Sequence, residues 1–129
     1  MDITSLQVYK DAYASVLWVM ELSNDFPKKF KYVLYDEILR SSVRMLNEVI
    51  FGCKTYDSRK KLEHFDEAGK LLESVDTMLL LGSSAQCITN KRLAEWMIKT
   101  NSIKRQLGGL INSLARRNGI SHEPIPEDL

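Results

Sequence analysis

The stretch LAEWMIKTNSIKRQLGGLINSL, running from Leu93 to Leu114, decides the fold. Leu93, Trp96, Thr100, Ile103, Leu107, Leu110 and Leu114 follow one another in steps of three and four, the seam of a packed helix, and only Thr100 is polar. Thr89 or Asn90 supplies a cap before it, and Asn118-Gly119 is a stop signal after it, which predicts a helix over 90–117. Working outward, Leu62, Phe65, Leu72, Val75 and Leu79 carry a second stripe of the same period. It lies between the capping oxygens of Asp57 and Ser58 and the break at Gly82-Ser83-Ser84, predicting a helix over 58–82.

Upstream, Leu34, Ile38, Met45 and Val49 form one line, while Leu39, Val43, Leu46, Ile50 and Cys53 form a neighbouring one, over a helix read as 28–53. An apolar face this wide exceeds what one seam of a four-helix core requires and is explained by burial against another copy of the chain, or by a central place in its own core. Leu6, Tyr9, Tyr13, Val16 and Met20 predict a first helix over 5–24, ended at the Ser23 to Pro27 stretch because the residue before a proline avoids helical geometry. Four helices with short connections and no strand predict an all-α, antiparallel up-and-down four-helix bundle over 1–117. Residues 118–129, with two prolines and three acids, read as a flexible tail.

The chain has 129 residues, one domain's worth, and its 44% hydrophobic and 27% charged content excludes disordered and collagen-like classes. Its longest apolar run, Met78 to Leu81, is far short of a membrane span, and no secretory signal is legible, so a cytoplasmic location without membrane contact is expected. Cys53 and Cys87 are too few for a disulfide framework and are read as reduced thiols.

Chemistry is sparse. His122 lies in the tail and His64 stands alone on its helix, so the paired Glu-x-x-His motifs of a di-metal bundle are missing. The single Gly-Gly, Gly108-Gly109, sits inside a helix and is no phosphate loop. Two interior glycines cost about 1 kcal/mol each relative to alanine, which points to close approach of a neighbour or to a kink. No catalytic residue, metal or cofactor is expected.

Charge is the more informative signal. Glu123, Glu127 and Asp128 all lie in the tail, so residues 1–122 hold 18 basic against 14 acidic groups, a net of +4, where the whole chain has +1. The basic residues bunch: Lys28, Lys29 and Lys31; Arg59, Lys60 and Lys61; Lys91 and Arg92; Lys104 and Arg105; Arg116 and Arg117. In an up-and-down bundle the starts of helices two and four share one end, and the start of helix three and the end of helix four share the other. Cations at a helix N-terminus oppose the macrodipole, which fits their being held there for an anionic partner, while for one isolated cluster ordinary solvated surface is the preferred reading unless an oligomer repeats the patch. Lys28, Lys29, Lys31, Arg59, Lys60, Lys61, Lys104, Arg105, Arg116 and Arg117 are the candidate phosphate contacts. Trp18, Tyr32, Tyr35, Phe51 and Tyr56 are either core and interface residues or platforms for unpaired bases, with Trp18 also fitting a subunit contact.

Three segments carry a family likeness: an N-terminal Leu-x-Val-Tyr, Phe26-Pro27-Lys28 before the long helix, and Glu37 to Val43 within it. Over about residues 5–114 the chain resembles the four-helix bundle proteins that include those encoded in 23S ribosomal RNA intervening sequences. Within them it is most similar to Avd, the accessory variability determinant of diversity-generating retroelements. Met45 to Gly52 runs without the proline and Asn-Ile-Ala-Glu-Gly of the ribosomal branch. Lys54, Tyr56, Asp57, Arg59, Lys60 and Lys61 look like the basic run of the Avd branch. Gln106 to Ile111 is similar to its Leu-Gly-Gly-Trp, with Leu110 at the aromatic position. The resemblance implies a homopentameric ring that binds nucleic acid (RNA or DNA) and the retroelement reverse transcriptase, without a catalytic site of its own. The competing reading is an oligomeric protein-interaction module of the intervening-sequence type without nucleic-acid function.

Overall fold

The computed structural model describes residues 6–120 and 125. Among them there is no strand, and four helices make up the body. Helix α1 spans Gln7–Glu21 and tightens into a 3-10 turn over Leu22–Asn24. Helix α2 starts after Pro27 as one turn, Lys28–Phe30, widens into a π turn over Lys31–Tyr35, and continues as Asp36–Lys54. Helix α3 spans Ser58–Ser84 and α4 spans Asn90–Arg117. Each helix packs on its chain neighbours, and α1 closes the ring against α4. The α1–α4 pair is antiparallel: Trp18 lies on Trp96 while Asp11 meets Gln106.

The stripes of α3 and α4 supply about half of the core. Phe65, Leu72, Val75 and Leu79 face Trp96, Ile103, Leu107 and Leu114, all buried. Thr100, the polar step of the seam, is fully buried at no loss, because its hydroxyl donates to the Trp96 carbonyl at 3.0 Å. Trp96 donates its indole N–H to Asp76 Oδ1 at 2.7 Å, and Asp76 Oδ2 takes the ammonium of Lys104. Trp18, also buried, lies tilted against Trp96 with centroids 5.5 Å apart, so its ring belongs to the core.

Helix α1 is rotated from the face that its large apolar residues predict. Val8, Ala12, Ser15, Val16, Val19 and Leu22 point inward, whereas Tyr13, Leu17 and Met20 stand about half exposed. Ala12 and Ser15 explain the rotation: small side chains let α1 approach its neighbours closely, and Ser15 satisfies its own hydroxyl on the Ala12 carbonyl at 2.7 Å. On α2 the line of Ile38, Met45 and Val49 is buried. The second line is not: Leu39, Leu46, Ile50 and Cys53 are half-buried and Val43 is exposed.

The π turn shifts the helix by a single residue, too small a change to break so wide an apolar pattern. Its anchor is Tyr35, whose hydroxyl donates to the carbonyls of Val19 at 2.9 Å and Met20 at 3.3 Å and whose ring packs on Phe26. Tyr32 and Val33 within the turn are left facing solvent.

Helix α3 runs two residues past Gly82 and ends in a Schellman turn. Cys87 N–H reaches the Gly82 carbonyl at 2.7 Å, Gln86 N–H reaches Ser83, and Gln86 takes the left-handed conformation at φ 61°. Helix α4 ends in the same way at Gly119, φ 63°, with Ile120 N–H on the Ala115 carbonyl. Most of the tail, including His122, Glu123, Glu127 and Asp128, lies outside the described residues. Ile125 does not: it packs half-buried on the core and pairs with Asn112.

Burial, reinforced by the adjacent Asp36 carboxylate, pushes the Tyr35 phenol above its ordinary 10.0. The folded state therefore holds this proton more tightly than the unfolded chain, a contribution complete below pH 10 and lost as pH climbs through the raised value. Urea unfolding of wild type between pH 9 and 11 should show stability falling more steeply than in Tyr35→Phe. At pH 7 that variant should lose about 1 kcal/mol with the missing hydrogen bond.

Candidate nucleic-acid interface

The best-formed cationic surface lies where α2 ends and α3 begins. Asp57 caps α3 by accepting the N–H groups of Arg59 at 3.0 Å and Lys60 at 3.1 Å, and the side chains of both residues are left exposed. Across a hollow of about 520 Å³, Asp57, Ser58, Arg59, Lys60 and Glu63 face Asn118 and Ile120 at the end of α4. The exposed Arg116 and Arg117 close that same helix, so this end gathers Arg59, Lys60, Arg116 and Arg117. Lys54, exposed in the last turn of α2, adds a fifth cation.

Lys61, next in the cluster, points elsewhere. Its ammonium donates to the Gly52 carbonyl at 2.7 Å and to those of Cys53 and Thr55 at 3.4 Å, and it lies 5.6 Å from the centre of the Phe65 ring. It thus neutralises the negative end of the α2 dipole and satisfies carbonyls that have no partner within the helix. Gly52 is required there, since a Cβ at that position would sit 2.5 Å from the ring of the buried Phe65. The half-buried Cys53 thiol beside this cap is pushed up by burial, against a smaller opposing effect of Lys61.

The remaining candidates are scattered. Lys104 is held by Asp76 between α3 and α4, and Arg105 is exposed on α4. At the opposite end Lys28 and Lys29 are exposed and Lys31 is half-buried, with Lys29 resting 5.1 Å over the Phe30 ring. Arg92 of that end bridges Asp25 and Glu95 at 3.5 Å each. With the exposed Lys91 beside it this end also holds five cations, of which, among the described residues, Arg92 is the one drawn into ion pairs.

Tyr56 completes the Arg59 end. It is 100% exposed as the single residue between the α2 C-cap, Thr55, and the α3 N-cap, Asp57, so its ring has no packing role. Phe51, 49% exposed one turn before Thr55, leans on His64, whose Nδ1 lies 2.6 Å from Glu48 and ties α3 to α2. The residues that sequence reasoning left out of the site are Lys54 and Tyr56. Their signal was present in the Lys54 to Lys61 run, where a tyrosine interrupts the cations in a break between helices. Among the described residues no group of three His, Cys, Asp or Glu side chains is arranged to hold a metal ion, and no helix is long and apolar enough to cross a membrane.

The all-α, four-helix chain thus carries cations at both ends, with the exposed Tyr56 at one and the exposed Tyr32 at the other. The family follows from sequence: a model described as bAvd-like matches residues 8–114, and the chain belongs to that family. Comparison with curated proteins gives no match.

The two roles within one basic run separate by stability. Lys61→Ala should lower unfolding free energy by about 1 to 2 kcal/mol through the lost cap, while Arg59→Ala and Lys60→Ala should stay within about 0.5 kcal/mol of wild type in the same denaturant titration.

Proposed function

We propose that this chain is the non-enzymatic accessory protein of a diversity-generating retroelement, which binds the reverse transcriptase and nucleic acid and assists mutagenic copying of the template. Membership of the bAvd-like family supports the accessory role. The observation that carries nucleic-acid binding is Tyr56, wholly exposed and flanked by Lys54, Arg59 and Lys60. An unpacked aromatic ring among free cations offers an unpaired base a stacking surface and its phosphates a set of counter-charges. Such contacts position a strand without reading its sequence. The protein acts in the cytoplasm, where template RNA and polymerase meet.

Assembly into a homopentamer belongs to the same proposal. Tyr13, Leu17 and Met20 on α1, with Val43 and its half-buried neighbours on α2, supply apolar surface suited to burial between protomers. Repeating the Arg59 end around a ring multiplies its charge, which offsets the modest +1 of a single chain.

Binding of labelled single-stranded RNA, DNA and an RNA–DNA hybrid at several salt concentrations tests this. Affinity should fall steeply with salt, with a log–log slope of roughly 0.7 to 0.9 per phosphate neutralised. Tyr56→Ala should weaken single-strand binding by about 1 to 3 kcal/mol, and Arg59→Glu with Lys60→Glu should weaken all three ligands with the fold unchanged by circular dichroism. Absence of binding at low salt would return the function to protein partners alone, as in the intervening-sequence type of bundle.

A further inference from the structure

Asn112 lies on α4 one turn before Arg116, and its side chain makes an arrangement that neither the core nor the cationic end uses. Its amide NH2 donates to the carbonyl of Ile125 at 2.7 Å, and its amide oxygen accepts the N–H of the same residue at 2.9 Å. Both main-chain groups of one residue are thereby satisfied by one side chain, as a neighbouring strand would satisfy them. The Ile125 side chain borders a hollow of about 270 Å³ between α3 and α4, whose floor is Leu107, Gly108 and Ile111. Gly108 is buried on this side and Gly109 borders a different hollow, with Leu6, Val8 and Phe65, on the other. The helix runs through both without interruption, and the absent side chains leave room for a hollow on each flank of α4.

A bidentate clamp on main chain plus an apolar slot for an aliphatic side chain is the pair of features by which proteins recognise an extended peptide. We infer that the α3–α4 groove around Asn112 is an extended-peptide site whose resident ligand is the chain's own C-terminal segment, held through Ile125. The occupant is named by two described residues: Ile120 stands beside Ala115 and Ile125 beside Asn112, which places Ile125 back along α4 at the groove. Only four residues separate Ile120 from Ile125, and so short a tether keeps the effective concentration of the ligand in the millimolar range. On the rim Lys70 pairs with Asp66 at 3.4 Å and Lys104 with Asp76, and the exposed Glu73 adds a carboxylate. Recognition rests on backbone and on a branched aliphatic side chain. A partner segment of that kind reaches the groove only by displacing the tail.

The test uses the full chain. Ile125→Asp places a charge where the slot is apolar and frees the groove. A fluorescein-labelled synthetic peptide with the sequence of residues 119–129 is then titrated by anisotropy. Saturable binding to Ile125→Asp, at least tenfold weaker binding to wild type because the tethered tail competes, and loss of binding on adding Asn112→Leu are expected. No binding to Ile125→Asp, equal binding to wild type, or binding indifferent to Asn112→Leu would overturn the inference. Should Asn112→Leu lose helicity or melt early, Asn112→Asp keeps the acceptor and removes the donor. It should then weaken the peptide severalfold, and unchanged affinity would have the same overturning force. None of these outcomes depends on whether nucleic acid binds.

Discussion

The structure depends on the burial of one indole. Trp96 has no solvent exposure, and its N–H must find an acceptor inside the bundle. Asp76 of α3 supplies it and is itself held by Lys104, about two turns further along α4. Trp18 of α1 covers the ring from the other side. Three helices are thereby locked at one level, and the register of α4 against α1 and α3 is set. The same register is read again at Asp11, which takes Gln106 at 2.8 Å and Ser102 at 3.2 Å. Once α4 is fixed, its end and the start of α3 must share one end of the bundle, and the cationic groups of both converge there.

That chain of consequence explains which basic residues remain available. Lys104 belongs to the Trp96 arrangement and Lys61 to the cap of α2, so each is drawn into the fold by a specific acceptor. Arg59 and Lys60 are released from structural duty by Asp57, which satisfies the helix start with backbone contacts alone. A run of three adjacent cations thus divides into one that stabilises and two that face solvent, a division set by helical phase: residue 61 faces the end of α2 while 59 and 60 face outward.

Much of this was legible in sequence, where one signal dominated. The seams of α3 and α4 are long, regular and apolar, and their buried residues follow the pattern closely. Helix α1 was misread because large side chains weigh more in an apolar pattern than Ala12 and Ser15, although close packing prefers the small ones. The π turn was hidden by the width of the α2 stripe. The engagements of Lys61 and Lys104 are three-dimensional facts, since their acceptors lie on other helices or beyond a turn. Asn112 and Ile125 were invisible for a related reason: a single residue of a polar tail gives no periodicity, and its partner reads backbone. Tyr56 was visible as an aromatic but not as an exposed one, because only the packing shows that nothing covers it.

In the function proposed above, nucleic acid is held at the end of the bundle formed by the α2–α3 link and the end of α4. Ultraviolet cross-linking of the protein to uridine-rich single-stranded RNA, followed by mass mapping of the adducted peptides, locates the contact directly. The account predicts adducts on the peptide that carries Tyr56, with neighbouring adducts toward Arg116. Adducts confined to the Lys28 to Tyr32 end, with the Tyr56 peptide unmodified, would contradict it.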